Sequence, residues 1–82
     1  MEAVITVIGK DMVGILGKVC NTCSEKNVNV LEVTQSVLQD LFVMIMMVDI
    51  SAMTCNLAEF SDNMEMLGRS LGLSIHVMHE DI

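Results

Sequence analysis

Gln39-Asp40-Leu41-Phe42-Val43-Met44-Ile45-Met46-Met47-Val48-Asp49-Ile50 is the stretch on which the fold turns. The unbroken apolar run from Leu41 to Val48 directly follows a two-residue polar turn. A helix is possible in principle, but the tight turn and the Val and Ile content favour a strand. As a strand, Leu41–Ile50 carries apolar side chains on both faces, which suits a central position in a sheet. The segment before the turn, Asn29 to Gln39, is then its antiparallel hairpin partner. There Val30, Leu31, Val33, Val37 and Leu38 alternate imperfectly with Glu32, Thr34, Gln35 and Ser36. That mixture predicts an edge strand with a bulge.

Working outward toward the N-terminus, the spacing of apolar residues predicts a helix from about Met12 to Lys26. Met12, Leu16, Val19 and Cys23 form its stripe, flanked by Ile15 and Cys20. Asn27 stands where a left-handed residue would stop it. Ala3 to Gly9 is apolar on both faces apart from Thr6 and reads as a second central strand. Toward the C-terminus, Thr54 is the expected N-cap of a helix from Cys55 to Leu71. Its stripe is Leu57, Phe60, Met64, Leu67 and Leu71, and Gly72 ends it. Ser74 to His79 is a last short strand, and Glu80-Asp81-Ile82 a tail.

The order strand, helix, strand, strand, helix, strand is α+β. With the central hairpin and right-handed crossovers it predicts a split β-α-β arrangement. This is the ferredoxin-like βαββαβ sandwich: a four-stranded antiparallel sheet with two helices on one face. The first and third strands are central, and those are the two most apolar. The opposite sheet face has no helix to cover it, so it stays partly exposed or meets a partner.

The chain has 82 residues and no stretch that reads as a linker, so residues 1–82 are expected to form a single domain. At 52% hydrophobic residues, so small a domain is expected to cover some apolar surface with a second chain. The formal net charge of -7 excludes a nucleic-acid backbone or an anionic membrane as the natural partner. Single-stranded RNA binding would also need aromatic stacking on the central strands, where Phe42 stands alone. Met1-Glu2 opens no basic leader, and no apolar run is long enough to span a bilayer. A cytoplasmic location is expected, with the three cysteines as reduced thiols.

Cys20-Asn21-Thr22-Cys23 has C-x-x-C spacing, but Cys23 falls on the buried helical stripe, where a thiol serves as a small hydrophobe. His76 and His79 are three apart on a strand and so point to opposite faces. Cys55 reads as a helix-start residue, and the many methionines as core and interface filler. No phosphate loop, Ser/His/Asp set or paired carboxylates are present, so catalysis is not expected and neither a cofactor nor a metal is implied.

The loop Gly9-Lys10-Asp11-Met12-Val13-Gly14-Ile15 is the candidate binding element. Asp11 is an expected N-cap, whose carboxylate accepts from first-turn amides. Gly14 lets a ligand or a neighbouring chain approach the backbone. A helix N-terminus also offers free N–H groups to a carboxylate.

That loop, followed by Asn27-Val28-Asn29-Val30, resembles the ACT domain, a family of small-molecule regulatory domains, many of which bind amino acids. Ala3-Val4-Ile5-Thr6-Val7-Ile8-Gly9-Lys10-Asp11, Leu38-Gln39-Asp40 and Met44-Ile45-Met46 extend the resemblance to the stand-alone bacterial ACT proteins grouped as UPF0237. It covers essentially the whole chain. It implies a homodimer with a ligand site at the subunit interface, holding an amino acid or similar small metabolite. By resemblance, Asp11 and Asn29 hold the ligand's polar groups, Gly14 gives it access, and the amides of Met12 and Val13 face its carboxylate. Many members that bind amino acids carry Asn where Asp11 stands, and a carboxylate there favours the ligand's ammonium group instead. Comparable members continue with a short basic extension after Glu-Asp-Ile, which makes a truncated or short form the expectation here. The competing expectation is a ligand-independent module that binds another protein.

Overall fold

The computed structural model describes residues 1–10 and 14–79. The elements are β1 (Glu2–Gly9), α1 (Ile15–Glu25), β2 (Asn29–Leu38), β3 (Leu41–Asp49), α2 (Leu57–Leu71) and β4 (Ser74–His79). The sheet order is β2-β3-β1-β4 and every pairing is antiparallel. The two most apolar strands, β1 and β3, therefore take the central places, as their two-sided composition requires. The expected bulge in β2 is present between Val30 and Glu32. Gln39 takes the positive φ of 58° that lets the hairpin close in two residues.

Alternation along the central strands separates two faces. Ala3, Ile5 and Val7 of β1, with Phe42, Met44 and Met46 of β3, are buried beneath the helices. α1 contributes Ile15, Val19 and Cys23, and α2 contributes Phe60 and Met64. The α1 stripe is centred differently from the expectation, since Leu16 is exposed and Ile15 is buried. Gly68 makes the α2 contact with β4 close: a Cβ there would stand 2.9 Å from the Leu73 carbonyl oxygen and 3.0 Å from Ile75.

The helix ends correct two expectations. α2 is capped by Asn56, whose side-chain oxygen accepts from the Glu59 amide at 2.8 Å, and not by Thr54. Asn56 lies three residues before Glu59, the spacing of a capping box, and this pairing outweighs the earlier Thr54. α1 begins at Ile15, so its cap position falls on Gly14 and not on Asp11. Asp11, Met12 and Val13 lie outside the described residues. At the far end of α1, Asn27 takes the expected left-handed turn at φ 58°. Gly72 ends α2 in the same way at φ 72°.

Candidate functional site

Gly14 has φ 73° and ψ 1°, a left-handed conformation that favours glycine. Among the described residues no side chain caps this end of α1, and a Cβ at Gly14 would meet no described atom within 4 Å. Its glycine is thus explained by backbone conformation. Gly17 likewise has no described neighbour within 4 Å of a built Cβ, so close packing does not account for it. Of the loop expected to bind ligand, Asp11, Met12 and Val13 lie outside the described residues.

Asn29, the other expected site residue, opens β2 and is exposed. It lines a cleft of about 660 Å³ together with Cys20, Ser24, Asn27, Asp49 and Ser51. That volume falls in the range of small-ligand sites, roughly 300–1,000 Å³. The cleft is assembled at the C-terminal end of α1. There Asn27 Nδ2 donates to the Ala52 carbonyl at 3.0 Å, and the Thr54 amide donates to the Lys26 carbonyl at 3.0 Å. These bonds fasten the α1–β2 corner to the loop after β3.

Asp49 supplies the charge. The Ser51 amide donates to Asp49 Oδ1 at 2.9 Å, and the Met1 amino group lies 3.7 Å from the same oxygen. Hydrogen bonding from Ser51 holds the Asp49 carboxyl below the usual carboxylate range, so it is ionised at neutral pH. No Lys or Arg is among the described residues that line the cleft. Asp49, although partnered by the Met1 amino group, and the side-chain amides of Asn27 and Asn29 give the cleft a polar lining suited to a hydrogen-bonding group. Asp49 and Ser51 escaped the sequence reading. Their only signal was the polar break that ends the apolar third strand.

Gly14 and Asn29 are not brought together within one chain. Gly9, which precedes the first loop, pairs with Phe42 at one end of β3, and Asn29 pairs with Asp49 at the other. Seven residue steps along β3 separate these ends by about 24 Å. α1, which joins the two regions, has 11 residues and a length of about 16 Å.

The C-x-x-C pair does not form an open thiol site. Cys23 is buried in the core, and burial, reinforced by Cys20, pushes its thiol up to about 12. Cys20 is half-buried at the cleft. Burial, with Glu59 nearby, also raises the Cys55 thiol. His76 sits opposite Thr6 and His79 opposite Ala3, which places them on opposite faces as their spacing required. Among the described residues no helix is long and apolar enough to cross a membrane.

The family model for the ACT domain matches residues 2–78. UPF0237 protein lin0537 of Listeria innocua is 42% identical over 82 residues, covering 100% of this chain and 92% of that protein. UPF0237 protein MMP0657 of Methanococcus maripaludis is 39% identical over 81 residues, covering 99% and 90%. Among solved structures, an ACT domain protein from Streptococcus pneumoniae superposes with a TM-score of 0.85 at 31% identity, covering 95% of this chain and 88% of that one. The chain belongs to the ACT-domain family of regulatory, small-molecule-binding modules, and within it to the UPF0237 group.

Proposed function

We propose that the chain, acting as one ACT domain, is a non-catalytic cytoplasmic sensor that binds an amino acid or related metabolite between two copies of itself. The observation that carries this reading is the separation of Gly14 from Asn29 within one chain. β2 is an edge strand of 10 residues, exposed along most of its length. A strand edge of that length is a template for pairing with another chain. Two-fold antiparallel pairing of β2 with its copy sets the Asn29 end of one chain beside the Leu38 end of the other. The Leu38 end is also the end at which the first loop departs. The Gly9 and Gly14 flanks of the first loop of one protomer then lie toward the Asn29 cleft of its partner.

In that arrangement the amides at the start of α1 meet the ligand's carboxylate. Asp49, with Asp11 from the other protomer, draws the ammonium group. Asn29 fixes orientation through its amide. The ligand stiffens the dimer, and a protein partner reads the stiffened state.

Thermal unfolding followed by circular dichroism, against a panel of free amino acids, tests this. A ligand at about a hundredfold over its dissociation constant adds roughly 2.7 kcal/mol. In a domain of this size the midpoint rises by on the order of 10 °C. The Asp11→Ala/Asn29→Ala double variant is expected to lose the shift while remaining a folded dimer. A shift that survives in that variant rules out the proposed site. A panel without any shift favours the ligand-independent interaction module, for which the exposed apolar sheet face is the supporting observation.

A further inference from the structure

We propose that the open face of the sheet is a docking surface for a cationic amphipathic segment of another protein. This rests on the face alone and not on the ligand reading. Register sets its side chains in cross-strand rows. Met47, Val4 and Met78 form one row ending at Glu32, and Ile45 lies between Thr34 and Thr6 in the next. Ile8, Ile45 and Met78 are large apolar side chains exposed on it. Methionine surfaces adapt to varied apolar partners.

The charged side chains of its strands are acids, and the amino group of Met1 stands beside one of them, Asp49. Glu2, Glu32 and Asp49 fall on it by register, and His76 lies opposite Thr6. None of its strand positions holds Lys or Arg, for Lys18 and Arg69 are on the helices, Lys26 follows α1 and Lys10 lies past the end of β1. A groove of about 120 Å³ runs between Glu32, Thr34, Ile45 and Met47. Its make-up fits one long basic side chain, with the aliphatic stem along Ile45 and Met47 and the charged head at Glu32. A second copy is a poorer occupant. A two-fold contact joins a patch to itself, so Glu2 and Glu32 of each copy would meet their equivalents, while the Met1 amino group is already taken up by Asp49.

The test uses the full chain with its methionine methyls labelled for NMR. The probe is a peptide of leucine and lysine at amphipathic helical spacing. The control is the same peptide with glutamate for lysine. Binding of the lysine peptide is expected to shift the Met47 and Met78 methyls and leave those of Met44, Met46 and Met64 in place. Glu32→Lys is expected to weaken it by about tenfold. Ile45→Thr, which keeps a β-branched residue in the strand, is expected to weaken it by about threefold. Equal binding of the glutamate peptide overturns the proposal, as do shifts at the helix-face methionines or indifference to Glu32→Lys. A change of oligomeric state on Ile45→Thr, read by sedimentation, also overturns it by assigning the face to a second copy.

Discussion

On β3, Met44 and Met46 are fully buried beneath the helices, while Ile45 between them is 47% exposed on the other side of the sheet. The residues are equally apolar, so composition does not explain the difference. Only one face has helices to cover it. The covered face supplies the stability of this small domain, and the open face remains available for recognition. Substitutions on the two faces should therefore separate sharply in their effect on stability.

Phe60→Ala should have the largest effect. Phe60 is fully buried in the core, and its truncation should cost about 3–5 kcal/mol in denaturant unfolding. So small a domain has little stability in reserve, and the variant should be largely unfolded at ambient temperature. A loss below about 1 kcal/mol would mean that α2 does not hold the core as described.

Gly68→Ala should come next, at about 1–3 kcal/mol, because the new methyl meets the Leu73 backbone carbonyl, which cannot move aside as a flexible side chain could. An unchanged midpoint would show that α2 and β4 are less closely packed.

Cys23 gives a pH-dependent version of the same test. Its thiol is raised in the folded state from 9.0 to about 12, so the folded state holds its proton more tightly than the unfolded one. The stability it contributes is complete below pH 9.0 and is lost as pH rises toward about 12. Cys23→Ala should remove part of that alkaline loss. An unaltered pH profile would contradict the burial of this thiol. Ile45→Thr on the open face should have the smallest effect, less than about 1 kcal/mol.

Much of the architecture was legible because period and position agreed. The two-sided apolar strands Ala3–Gly9 and Leu41–Ile50 can only be central, and the polar alternation of Asn29–Gln39 can only be an edge. The ends of the helices were harder to read. Thr54 and Asn56 are both good caps, two residues apart, and the choice depends on the bond from the Glu59 amide. A start of α1 near Met12 would make Asp11 its cap, but α1 starts at Ile15 and leaves that position to Gly14. The site was legible only in part. Asn29 is a candidate only through the family resemblance, since by itself an Asn at the start of a strand is ordinary turn chemistry. Asp49 and Ser51 join it because three chain segments converge there, and the polar break after the apolar third strand is the sole local trace of that convergence.

The most direct test of the shared site is subunit mixing. Asp11→Ala and Asn29→Ala are prepared as separate proteins, neither of which should bind the amino acid that stabilises the parent. Dissociated and reassociated together, they form mixed dimers. In these, one site combines Asp11 from one chain with Asn29 from the other, and is intact. Recovery of binding in the mixture, measured by calorimetry, is the expected result. Binding that stays absent after verified mixing would place both residues in a site within one chain, or in none, and would contradict an interface site.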